Sequence, residues 1–148
     1  NPFAVPLEGD WVVRPSMLGR LRRHLGAVYL DGRSLREADS QVDVGRGRAV
    51  PTIVDDWTGV ELRVEDPQWE ALCWFARVDE DATTLWADFG DTDPREAQVE
   101  INVRPAVFRP EALHIDWITV SGFELARAAT QWAPPTAEQE GLVGPNWA

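Results

Sequence analysis

The sequence predicts an all-β protein: a β-sandwich followed by a strand and loop of different character. Three observations carry this. Apolar residues recur with period two in several short runs. Turn signals separate those runs at regular intervals. The 11 prolines are scattered, mostly between the runs, as edge and turn prolines are. Helical periodicity is poor, and only Leu18 to Leu25 and Trp69 to Leu72 suggest a turn or two of helix.

The elements follow in chain order. Trp11-Val12-Val13-Arg14 is a candidate strand. Ala27-Val28-Tyr29-Leu30, then Asp31-Gly32, then Arg33-Ser34-Leu35 reads as a hairpin, because Asp-Gly supplies the positive φ angles of a type I′ turn. Gly45 to Asp66, with Gly45-Arg46-Gly47, Pro51 and Asp55-Asp56, reads as a long loop with one strand near Val60 to Val64. Leu72 to Val78 and Thr83 to Phe89 flank the polar run Asp79-Glu80-Asp81-Ala82 and form a second hairpin. In Ala97 to Arg104, Val99, Ile101 and Val103 alternate with polar neighbours, which predicts a strand with one buried face. These elements place the sandwich at Asn1 to Ala112. Residues 113–148 differ: Trp117-Ile118-Thr119-Val120, a bend at Ser121-Gly122, then Phe123-Glu124-Leu125 resembles one rung of a parallel β-helix. A rung buries its faces only against neighbouring rungs, so a lone one is not stable. With Asn1-Pro2-Phe3 at the start and Trp147-Ala148 at the end, the expectation is a piece of a larger protein.

Composition bounds the function. The 148 residues include 14 basic residues, all Arg, and 25 acidic ones, for a net charge of −11. That balance disfavours nucleic acid, whose binding needs clustered cations, and anionic membrane surfaces. No apolar run approaches the roughly 20 residues of a membrane span. The single cysteine, Cys73, excludes an internal disulfide and a Cys-rich zinc site, and its apolar strand predicts a buried, inert thiol. Eight tryptophans against one Tyr and five Phe are the unusual feature.

Candidate chemistry is sparse. Glu124, Glu138 and Glu140 lie near a Trp-bearing loop, but no pair has the distinctive spacing of glycosidase carboxylates, and solvated acids are expected throughout so acidic a chain. Asp79-Glu80-Asp81 and Asp88 to Asp93 do not fit an EF-hand and read as turns. His24 and His114 lie in no HxxxH or HExxH context, and the sequence offers neither a partner for a zinc site or triad. The serines sit in no GxSxG elbow, and Gly45-Arg46-Gly47 is too short to cradle a phosphate. No cofactor is called for. Trp11, Trp74, Trp86 and Trp117 lie in strand-like runs and are assigned to the core; Trp57 and Trp69 pack at its edge or serve as surface platforms. Trp132 stands apart, in a Pro-broken loop with Thr130, Gln131 and Gln139. A flat apolar ring ringed by amides suits a sugar face; the alternative is a ring that anchors an otherwise loose loop.

Several runs together resemble glycoside hydrolase family 120, a family of β-xylosidase-like enzymes. They are Val99 to Phe108, Trp117 to Glu124, Ala128 to Gln139 (AATQWAPPTAEQ) and Gly141 to Trp147 (GLVGPNW). Asn1-Pro2-Phe3 and the Val28-Tyr29-Leu30-Asp31-Gly32 hairpin are similar to that family too, so the resemblance covers essentially the whole chain. It implies a right-handed parallel β-helix into which a β-sandwich is inserted, this chain being the insert plus the strand that re-enters the β-helix. It implies a retaining mechanism, with an Asp nucleophile and a Glu acid/base in later rungs beyond Trp147, outside these residues. What this chain then supplies is part of the sugar-pocket wall: Thr130, Gln131, Trp132, Pro134, Thr136 and Gln139. The implied partners are a xylose-containing oligosaccharide and the rest of the β-helix or another subunit, not nucleic acid or membrane. Two other readings stand beside it. One is a carbohydrate-binding module that uses exposed Trp. The other is a structural or oligomerisation domain that buries Ile118, Val120 and Phe123 against another chain.

Overall fold

The computed structural model describes residues 24, 26–55, 58–102, 104, 106–110, 112, 114–128 and 142–143. The Trp11 strand, Trp57 and nearly all of Leu18 to Leu25 lie outside them. The described residues form an all-β fold. Its strands are β1 (Val28–Leu30), β2 (Arg33–Ser34), β3 (Arg36–Glu37), β4 (Thr52–Val54), β5 (Glu61–Arg63), β6 (Cys73–Val78), β7 (Thr83–Ala87) and β8 (Val99–Ile101). A single-turn 3-10 segment, Gln41–Asp43, and a five-residue helix, α1 (Pro67–Ala71), interrupt them. Three sheets result, with strand orders β2-β1-β8, β3-β6-β7 and β4-β5.

The first sheet grows from the Asp31-Gly32 turn. Both residues take positive φ, 47° and 84°, so β1 and β2 pair antiparallel through a two-residue loop as the sequence predicts. Asp31 also binds the next strand. Its backbone N–H donates to the Gln98 carbonyl at 2.9 Å, and its Oδ1 accepts from the Gln98 N–H at 3.0 Å. The turn thereby holds β8 in antiparallel register, Val28 opposite Ile101 and Leu30 opposite Val99.

The second sheet carries the predicted β6–β7 hairpin, paired from Trp74–Ala87 to Val78–Thr83 across the Asp79 to Ala82 loop. Alternation sorts its side chains. Trp74, Ala76 and Val78 face the core with Leu85 and Ala87. Phe75 and Trp86 pair on the other face, ring centroids 6.3 Å apart.

One extended segment links the two sheets. It runs with β1 as β2, passes Leu35, and then pairs in parallel with β6 as β3. The Leu35 N–H still donates to the Val28 carbonyl of the first sheet, whereas the Ala38 N–H donates to the Trp74 carbonyl of the second. At this crossing Val28, Leu30, Leu35, Trp74 and Ala76 form one buried cluster. Trp74 is 2% exposed, and its indole Nε1 donates to the Leu35 carbonyl at 3.1 Å. Cys73 is fully buried beside it, its sulfur against the Asp43 carbonyl, as the sequence predicts.

Three expectations need correction. Gly45 to Asp66 holds two strands rather than one, because the β-branched run Thr52-Ile53-Val54 pairs with Glu61–Arg63. Gly47 lets this segment lie against α1, where a Cβ would overlap the Ala71 carbonyl. The Ala97 strand is shorter than predicted and lies at a sheet edge. Val99 and Ile101 share the face of Leu30 and Val28 yet stay exposed, and Asn102 is the buried residue at its end. Finally, Trp117 to Val120 is not a strand. No described neighbour pairs with it, and the backbone turns left-handed at His114, Trp117 and Arg127. Trp117, assigned to the core, is 100% exposed.

Replacing Trp74 by Phe keeps most of the ring volume but leaves the Leu35 carbonyl without its indole donor. Urea denaturation of Trp74→Phe is expected to show a loss of about 1–3 kcal/mol.

Candidate functional site

The predicted sugar-site residues Thr130, Gln131, Trp132, Pro134, Thr136 and Gln139 lie outside the described residues, as do Glu138 and Glu140. The chain leading toward them is tied to the first sheet at Arg127. Its guanidinium lies 5.2 Å over the Tyr29 ring and forms an ion pair with Glu100. It also crowds the β1–β2 turn, where a Cβ on Gly32 would come within 3.2 Å of its Nη2.

Beside this ion pair lies a groove of 460 Å³, lined by Tyr29, Glu100, Asn102, Glu124 and Arg127. The register explains the grouping. Tyr29 and Glu100 are cross-strand partners, so their side chains leave the sheet on one face, opposite that of Val28 and Leu30. Asn102 is 6% exposed, and its Oδ1 accepts the Ala27 N–H. Sequence reasoning weighed Glu124 only as a catalytic carboxylate and passed over Asn102 and Glu100 altogether. Cross-strand register, not local pattern, brings them together.

A second groove, 660 Å³, lies between the β4–β5 hairpin, the β2–β3 segment and α1. It gathers Arg33, Arg36, Arg48 and Arg63 with Glu65, Asp66 and Glu70, four cations against three acids on a chain of net charge −11. Asp66 organises one wall. It caps α1 by accepting the Trp69 N–H, with Pro67 at the first helical position. It also accepts from Arg33 Nη1 at 2.9 Å. These bonds, the Arg33 side chain first, hold the Asp66 carboxyl below its ordinary value. Arg33 lies 4.0 Å over the Trp69 ring, whose Nε1 donates to the Ser34 carbonyl. Trp69 thus packs at the core edge, half-buried.

Elsewhere, His24 proves to have a partner that the sequence did not disclose. Its Nδ1 lies 2.7 Å from Glu37 Oε1, beside Trp74 and Phe75. Glu37 stands 13 residues away, a separation that matches no local motif. The acidic stretches behave as turns: Asp88 accepts the Gly90 N–H, and Asp93 accepts from the Arg95 backbone and side chain. The Arg95 side chain, then its N–H, holds the Asp93 carboxyl low. Among the described residues no group of three or more His, Cys, Asp or Glu could hold a metal, and no helix is long and apolar enough to cross a membrane.

The Asp66 contribution has a definite pH sign. Because its folded pKa is depressed, its stabilisation is present above the ordinary aspartate range and is lost as pH falls through the lowered value. Asp66→Asn keeps a capping oxygen but loses the ion pair. Its melting temperature is expected to fall below that of the parent chain at neutral pH, with the gap closing on acidification or in high salt.

Comparison with known proteins agrees with the resemblance drawn from the sequence. A search of curated proteins returned no match. Among solved structures, XylC in complex with xylose superposes with a TM-score of 0.85 at 42% identity, over 99% of this chain and 22% of that one. This chain therefore spans about a fifth of that protein. The family description "Glycoside hydrolase 120, insertion domain" matches residues 1–101. The chain belongs to the glycoside hydrolase 120 family, and those residues correspond to its insertion domain.

Proposed function

We propose that these 148 residues are the accessory portion of a β-xylosidase-like retaining glycoside hydrolase, which shapes the sugar site and does not itself cleave. Residues 1–112 are the β-sandwich insert. Residues 113–148 are the segment that re-enters a parallel β-helix and carries the Trp132 loop to the xyloside. The bond-breaking Asp and Glu lie in later rungs. The sugar is a xylose-containing oligosaccharide held through the parent enzyme.

The observation that carries this reading is the state of residues 114–128. Trp117 is fully exposed and Phe123 is 75% exposed, and Ile115, Ile118 and Val120 are exposed as well. Burying a side chain of this size contributes about 1.5–3 kcal/mol, so the segment forgoes most of what its composition offers. Trp117 also sits at φ 64°, a conformation that an L side chain adopts at a cost of roughly 1–2 kcal/mol. An apolar, strained segment unpaired among the described residues is what a β-helix rung becomes without the rungs on either side. The matched protein extends well beyond this chain, which covers 22% of it, leaving room for those rungs. That protein binds xylose, which supports a pentose as the sugar handled by the parent enzyme.

The purified 148-residue chain is expected to release no aglycone from an aryl β-xyloside, whereas the parent enzyme turns it over. Turnover by the purified chain that persists through repurification overturns the proposal.

A further inference from the structure

The groove above Tyr29 holds a buried donor without an acceptor among the described residues. Asn102 is 6% exposed, and the Ala27 N–H engages its Oδ1, which fixes which way the side-chain amide faces. Its Nδ2 protons then meet no acceptor among the described residues. Buried polar groups are nearly always satisfied, so a spare donor lining a groove points to something that binds there.

The other walls narrow the occupant. Glu100 is taken by Arg127, and Arg127 covers the Tyr29 ring. Glu124 has no hydrogen-bond partner among the described residues. Among the described residues the groove therefore presents one unused donor, Asn102 Nδ2, and one unused acceptor, the Glu124 carboxylate. Its two carboxylates against one guanidinium repel an anion. No group of three metal-ligating side chains forms among the described residues, which argues against a metal ion. The mostly polar walls disfavour an apolar ligand. A neutral molecule with adjacent hydroxyls meets these conditions, because each hydroxyl both donates and accepts. The 460 Å³ of the groove falls within the roughly 300–1,000 Å³ of small-molecule sites.

From this geometry we infer that the groove binds one pyranose unit of a neutral sugar. Asn102 Nδ2 donates to one ring hydroxyl, and Glu124 accepts from its neighbour. Arg127 and Glu100 hold the floor on which the ring rests. The inference rests on the sugar-handling role proposed above and adds a second point of contact, on the first sheet, to the Trp132 loop.

The test is a titration of the isotope-labelled 148-residue chain with xylobiose, followed by two-dimensional amide NMR. The Asn102 side-chain amide is expected to shift saturably, with half-saturation at about 1–10 mM, as befits a few hydrogen bonds in an open groove. Glu124→Ala, at an exposed position, is expected to weaken that response about fivefold or more. Asn102→Asp, which keeps the Ala27 acceptor and removes the donor, is expected to abolish binding at this groove; should it not fold, the Asn102 shift and Glu124→Ala decide alone. Glucuronic acid is expected to bind more weakly than xylobiose. An Asn102 amide that stays unmoved while the Trp132 indole shifts overturns this inference and leaves the accessory role standing. An Asn102 shift indifferent to Glu124→Ala also overturns it. A chain that shows no shift at either place overturns this inference and leaves standing the accessory role, in which the sugar is held through the parent enzyme.

Discussion

The fold depends on a strand that changes sheets, and on one indole that holds it at the change. Passing from β2 to β3, the chain leaves the hydrogen-bond ladder of the first sheet and joins that of the second. A carbonyl at such a crossing needs a donor from elsewhere, since leaving a buried polar group unsatisfied is costly. Trp74 supplies it. The same side chain fills the space between Val28, Leu30, Leu35 and Ala76, so apolar burial and backbone satisfaction coincide in one residue. Trp69 repeats the arrangement one residue earlier, donating to the Ser34 carbonyl. Two of the chain's eight tryptophans thus close the crossing from the core and from its edge.

Short-range chemistry was legible in the sequence, and long-range placement was not. The Asp31-Gly32 hairpin needs only two residues able to take positive φ, so its turn could be read directly. The Asp79 to Ala82 hairpin was equally clear, because alternation on both sides fixes the register. The β4 strand was hidden behind Pro51 and the glycines near residue 46, although three consecutive β-branched residues were its signal. The edge position of β8 could not be read, since alternation shows which side chains share a face but not whether anything covers them. The same limit explains Trp117: strand-like composition becomes a strand only when a neighbour is present to pair with it. The partners of His24 and Arg127 lie 13 and 27 residues away, where no local pattern reaches.

The two ends of the described chain divide the tasks. The sheets supply a stable frame in which Asp31, Asp55, Asp66 and Asp88 are engaged in caps and turns. Residues 114–128 contribute little to that frame beyond Arg127, which fastens the segment to Tyr29 and Glu100. The matched insertion-domain region, residues 1–101, holds all three described sheets, whereas residues 114–128 leave Trp117 and Phe123 exposed.

The complete burial of Cys73 has a practical consequence. Its sulfur lies on the strand that carries Trp74 and faces away from solvent, beneath the 3-10 turn. A thiol-directed reagent reaches it only when that strand parts from its neighbours, so the pace of alkylation reports how often the protein breathes open around its heart.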